Sequence, residues 1–242
     1  YTVHQVSGWE GRELMRDFDV FVRADGETYR YLINNANFRS FIKVVKVDAE
    51  TGKAIPYAGA GFQIYRPDGS LVSMTFTYPE VTTIDTFYTN EEGFLITPEK
   101  LEYGGYTLKE VSAPYGYVLR AEGVSFDVTE DNSTEENAVK IVEVKLGNYA
   151  QKGVIKISKS GEVFASVTES DGIYQPVYAV QGLPGAVYEI KAAEDIFTLD
   201  GTLRYRAGEV VDTVTTGEDG PAESQPLYLG KYEITEMKAP DG

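Results

Sequence analysis

A lysine, a glutamate and an asparagine set into apolar stretches are the residues of this chain that could do chemistry. Lys43 sits in FIKVVKVD (41–48), Glu110 in YTLKEVSAPYGY (106–117) and Asn148 in VEVKLGN (142–148). An amine kept charged in a dry interior costs several kcal/mol, so burial drives its pKa down and that of a carboxylic acid up. A neutral Lys43 amine is a nucleophile. Glu110, carrying the proton, can hydrogen-bond the side-chain carbonyl of Asn148 and polarise it. Attack at Cγ then joins the two side chains as an amide, and ammonia leaves. Glu110 serves as general acid and base in both steps. The event happens once per molecule with no external substrate, so the chain is not expected to be an enzyme in the ordinary sense.

Strand alternation puts Phe41, Lys43, Val45 and Val47 on one face and Ile42, Val44 and Lys46 on the other. Lys46 is therefore the rival amine, and Lys43 is favoured. A plainer reading has both lysines on solvated faces and Glu110 as an edge-strand charge that resists aggregation. The surroundings argue against it, because they are repeated. IKVVKVD (42–48) is answered by IKISKSG (155–161), GAGFQI (59–64) by GAVYEI (185–190), and TLKEVSAPYGY (107–117) by EITEMKAPDG (233–242). Lys156 and Glu236 are the counterparts in the second copy. A period this long marks a tandem array of domains.

Three segments are expected. Residues 1–40 are the closing strands of a preceding domain or a small β element, with DVFVRADGETYRYLI (19–33) predicted as two strands about Asp25–Gly26. Residues 41–150 form a complete unit. Residues 151–242 form a second unit, predicted to stop before its closing strands and to lack an acceptor for Lys156. Its ESDGIYQPVYAVQG stretch reads as an added hairpin or loop. Short strands punctuated by Gly, Pro and Asp turns, with little helical periodicity, predict antiparallel sandwiches.

Composition narrows the function. Asp and Glu number 38 against 22 Lys and Arg, a formal charge of -16, which disfavours nucleic acid or an anionic membrane as partner. No cysteine is present, excluding disulfides and thiolate metal sites. The single histidine, His4, excludes a histidine-rich metal cluster and reads as an ordinary surface residue. No apolar run reaches membrane-spanning length. Calcium-loop spacing, a G-x-S-x-G elbow and a phosphate-cradling glycine loop are all missing. A glycan-active hydrolase is the remote alternative, and no cofactor or metal is expected.

KVVKVDAETGKAIPYAGAGFQIY (43–65), YTLKEVSAPYGYVL (106–119) and VEVKLGN (142–148) resemble the B-type repeat domains of collagen adhesins and the backbone pilins of Gram-positive bacteria. The resemblance implies tandem Ig-like sandwiches of inverse topology, each locked by an intramolecular Lys–Asn or Lys–Asp isopeptide bond that a Glu promotes. It assigns Lys43 as amine, Glu110 as catalyst and Asn148 as acceptor, with Lys156 and Glu236 matching in the second unit. It also implies an extracellular stalk, anchored to the cell wall or built into a pilus. Other pilin subunits or a host extracellular-matrix protein are the expected partners, exposed tyrosines such as Tyr174 and Tyr178 suiting an interface. A monomer is expected, with strand exchange through residues 27–35, near Asn35, as the lesser alternative.

Overall fold

The computed structural model describes residues 1–240, and every regular element in them is a β-strand. The chain divides into two compact units, Tyr1–Tyr149 and the residues from Ala150 onward. Residues 1–38 thus belong with the first unit. They carry only two short strands, β1 (Thr2–Val3) and β2 (Phe18–Asp19), paired antiparallel. The hairpin predicted over 19–33 does not form. Asp25–Gly26 does turn, but the Tyr29 hydroxyl accepts hydrogen bonds from the Arg23 and Ala24 amides, so a side chain takes the place of a strand ladder. Residues 27–35 hold no strand, and the Asn35 amide is spent internally on Gln5 and the Glu13 carbonyl. His4 is exposed beside Asp17.

The first unit continues with β3 (Arg39–Asp48), β4 (Gly61–Tyr65), a β5–β6 hairpin (Met74–Phe76, Thr82–Ile84), β7 (Phe87–Tyr88), β8 (Phe94–Ile96), β9 (Leu101–Glu102) and β10 (Gly104–Ser112). It closes with β11 (Val124–Val128), β12 (Ser133–Glu136) and β13 (Val139–Asn148). One sheet runs β11-β10-β4-β7 and the other β12-β13-β3-β8, with β9 also on β3. The first long strand and the last lie parallel, Ile141 opposite Phe41 through Asn148 opposite Asp48. That parallel closure is the inverse Ig-like arrangement the motifs implied.

Strand alternation builds the core between the sheets. Ile42 and Val44 of β3, Phe62 and Ile64 of β4, Leu108 of β10, and Val142, Val144 and Leu146 of β13 all point inward and are buried. At one end of the sandwich the inward series continues with polar residues: Lys46 and Asp48 after Val44, Glu110 after Leu108, Asn148 after Leu146.

The turn before β8 matters to that end. Gly93 has φ of 82°, and its carbonyl accepts the Lys46 amide at 2.9 Å. A Cβ there would stand 1.9 Å from the Ile55 carbonyl oxygen. Gly93→Ala is expected to cost about 3 kcal/mol or more, since it adds a backbone clash to a left-handed conformation. Chemical denaturation would read it.

The second unit comprises β14 (Lys152–Gly153), β15 (Lys156–Ser158), β16 (Ser160–Ser170), β17 (Ile173–Gly182), β18 (Val187–Ala192), β19 (Ile196–Phe197), β20 (Leu203–Tyr205), β21 (Val210–Thr215), β22 (Pro221–Glu223), β23 (Leu227–Tyr228) and β24 (Tyr232–Lys238). Its main sheet is β21-β18-β24, over a smaller core of Ile190, Ala192, Ile196, Val211, Val214 and Leu227. The stretch expected as an insertion is the β16–β17 hairpin. Asp171 (φ 54°) and Gly172 (φ 77°) make its two-residue turn, the left-handed pair that matches strand twist.

Candidate functional site

The polar end of the first sandwich places Lys46, not Lys43, against Glu110 and Asn148. β3 turns Ile42, Val44, Lys46 and Asp48 toward the core, so Lys43 lies on the opposite face. Its side chain is partly exposed, 3.4 Å from Glu143 and over the Phe94 ring. This corrects the favoured lysine. The two faces were separated properly, but the apolar neighbours of Lys43 lie on the half-buried side of the sheet, while the fully dry side carries Lys46.

Lys46, Glu110 and Asn148 are 0%, 5% and 2% exposed. The Lys46 Nζ stands 2.9 Å from Glu110 Oε1, an ion-pair contact whose angles fall outside hydrogen-bond geometry. It donates to the Leu146 carbonyl at 3.2 Å and faces the Phe62 ring. Asn148 Nδ2 donates to Glu110 Oε2 at 2.6 Å and to the Val118 carbonyl at 2.7 Å. Two acceptors on that nitrogen fix the amide's orientation, because a flip would set Oδ1 against a carbonyl. One carboxylate therefore touches both nitrogens, an oxygen to each. Glu110 meets the Asn148 nitrogen rather than its carbonyl, and Asn148 Oδ1 is buried without a hydrogen-bond partner.

Burial pushes the Lys46 pKa down to about 8, against the opposing pull of Glu110. At pH 7 about a tenth of such amines are neutral, against about 3 in 10,000 at the ordinary value. A nucleophilic population is thus available under mild conditions.

The segment after β10 explains why the A-P-Y-G-Y stretch belongs here. Its turn returns the chain, with the Tyr117 amide donating to the Pro114 carbonyl, and Tyr117 enters the core to donate to Asp48 Oδ2 at 2.9 Å. Val118 then supplies its carbonyl to Asn148, and the Arg120 amide donates to Glu110 Oε2 at 2.8 Å. Sequence reasoning missed Asp48, Tyr117 and these two backbone groups. The available signal was polarity at Asp48, the next inward position after Lys46, and an aromatic just past a Pro–Gly turn.

The second unit repeats the pair with the same shift of lysine. Lys156 is exposed and bridges Glu223 at 2.9 Å across the strands. Lys159, the counterpart of Lys46, contacts Glu236 at 3.1 Å. Both side chains are about a third exposed, and the hydrogen bond that Lys159 donates to Glu236 raises the Lys159 pKa. The same two residue types thus give opposite shifts. Desolvation dominates in the dry unit, ion pairing in the wet one.

Among the described residues no cluster of His, Cys, Asp or Glu could hold a metal ion, and no helix is long and apolar enough to cross a membrane. Residues 40–149 and 177–242, well over half the chain, match the SpaA family, a prealbumin-like fold domain. No curated protein matches. Among solved structures, the chain is similar to the TIE protein of Bacillus anthracis, at 26% identity over 99% of this chain and 36% of that one, with a TM-score of 0.50. A group B streptococcus pilus 2b backbone protein aligns with 48% of the chain and 43% of its own length at 21% identity and a TM-score of 0.38. BcpA, the major pilin subunit of Bacillus cereus, aligns with 84% and 89% at 16% identity and a TM-score of 0.37. The chain spans about a third of the TIE protein's length.

Proposed function

Because the chain belongs to the SpaA family of prealbumin-like fold domains, we propose that it is a stalk segment of a Gram-positive surface protein or pilus. Its first unit is locked by an isopeptide bond between Lys46 and Asn148. The observation that carries this reading is the single buried carboxylate between two nitrogens, one to be bonded and one to be expelled.

The neutral Lys46 Nζ attacks Asn148 Cγ. Glu110 Oε1 takes the proton from the attacking nitrogen, and Glu110 delivers a proton through Oε2 to Nδ2, which departs as ammonia. The new C–N bond forms by addition to Cγ, the bond to Nδ2 breaks as the tetrahedral adduct collapses, and the carboxyl group ends as it began. The fold supplies position, holding three groups at contact distance, and dryness, which disfavours the charged starting pair. A surface cleft bordered by Asn148, Val118 and Arg120 gives the ammonia a way out.

The bond would tie β3 to β13, the first long strand of the first unit to its last, which pair side by side in parallel. Tension along the chain then passes through a covalent link, and reduction cannot open it. Anchoring to the cell wall and association with further subunits belong to the same reading, with other pilin subunits as the partners.

Force applied to single molecules tests it. A lock between 46 and 148 hides the intervening chain, so the first unit should never release its ~350 Å of contour length. Glu110→Gln should restore that step. An extension of this size in the native protein would contradict the reading.

A pH series adds an independent check through Asn148→Ala, which leaves Lys46 as a free amine. Its pKa is about 8 folded against 10.5 unfolded. Below pH 8 both states are charged and burial exacts its full cost; between 8 and 10.5 the unfolded state binds more protons, so stability rises with pH. The variant should gain up to about 3 kcal/mol across that window. The native protein, its amine consumed, should lack this gain.

A further inference from the structure

The β16–β17 hairpin presents one aromatic face that no described residue of its own unit covers. Register pairs Glu162 with Val180, Phe164 with Tyr178, Val167 with Pro176 and Glu169 with Tyr174, after a bulge at Ala165. Directly opposed residues point to the same side, so these eight form one face. Phe164, Val167, Tyr174, Tyr178 and Val180 are each more than half exposed. The Phe164 and Tyr178 rings meet edge to face at 6.3 Å, as the register requires. The reverse face pairs Val163 with Ala179, Ser166 with Val177, Thr168 with Gln175 and Ser170 with Ile173, and carries no aromatic ring.

A two-stranded ribbon is marginal on its own, and a contiguous exposed aromatic patch marks an interaction surface. Charge selects the occupant. Glu162 and Glu169 lie among the aromatic rings, Asp171 sits at the tip, and residues 160–182 contain no lysine or arginine. A second copy of this chain, of charge -16, would be repelled, as would an anionic membrane. Lysine or arginine set against this face would meet both carboxylates and the faces of three rings.

We propose that the aromatic face of the β16–β17 ribbon docks a protein partner presenting a cationic, extended segment. At roughly 35 Å long and two strands wide, the ribbon offers less than a standard interface, which suits a linear segment more than a broad domain surface. The inference is independent of the isopeptide reading, since these residues lie outside the first unit.

The probe is a 12-residue peptide alternating lysine with valine and tyrosine, titrated against the full 242-residue chain by calorimetry at two salt concentrations. Binding that weakens with salt is expected. Tyr174→Ser/Tyr178→Ser should weaken it at least about tenfold, and Glu162→Gln/Glu169→Gln about threefold with a shallower salt dependence. Thr168→Ala/Gln175→Ala, on the reverse face, should leave it unchanged. Thermal unfolding of each variant should match the native chain, because every altered side chain is exposed.

The proposal fails if the tyrosine pair changes nothing, since attraction would then be to net charge alone. It fails equally if a glutamate version of the peptide binds as well, or if maltohexaose binds with the same tyrosine dependence. Self-association abolished by the tyrosine pair would assign the face to a second copy and overturn it too.

Discussion

Asn148→Ala should lower the stability of the first unit by about 4–5 kcal/mol, the loop entropy returned when a tie between positions 46 and 148 is never made. For a unit of this size that corresponds to a fall in Tm of roughly 10–20 °C. The substitution removes the acceptor but leaves the Lys46–Glu110 contact in place, so it does not strand a buried charge. The amide of Asn148 makes two hydrogen bonds, to Glu110 and Val118. Losing these in an unlinked protein would cost about 1–3 kcal/mol. Calorimetry of the native and substituted chains gives the comparison; a loss confined to that smaller range would mean the tie does not exist.

The larger contrast lies between neighbouring lysines. Lys46→Ala should prevent the bond and also leave the Glu110 carboxylate buried without its cation, a combination expected to exceed the Asn148→Ala loss by several kcal/mol. Lys43→Ala removes a partly exposed contact with Glu143 and should stay within about 1 kcal/mol of native. Urea midpoints would separate the two readily. Equal losses would mean that both faces of β3 contribute alike, against the burial of Lys46 alone.

The sandwich was legible because its strands alternate and its turns are chemically marked. IKVVKVD and VEVKLGN lie wholly within strands, and GAGFQIY is a strand from Gly61 onward. The motifs also led to Glu110 and Asn148, which lie buried side by side. The lysine that faces them was not legible. Both faces of β3 are rich in apolar residues, and only the packing of the opposite sheet makes the Ile42–Val44–Lys46 side the dry one. Local pattern cannot rank two apolar faces. The hairpin expected over 19–33 failed for a related reason: an Asp–Gly turn needs flanking strands with a surface to pack on, and here Tyr29 satisfies the turn's amides instead.

The second unit carries the same pair of residue types without the same dryness. Lys159 and Glu236 repeat the pair at similar distance, yet water reaches both and the amine is held more firmly protonated. Contact alone does not prepare a nucleophile. Desolvation separates the two units.

Whether Lys46 and Asn148 are joined can be read from the denatured intact mass of the 242-residue chain, followed by peptide mapping. A mass one ammonia below the encoded sequence is expected, with a branched peptide joining Lys46 to Asn148. That deficit should persist in Lys43→Ala and vanish in Lys46→Ala, Glu110→Gln and Asn148→Ala. A native chain at its full encoded mass, or a deficit that survives Lys46→Ala, would contradict that link.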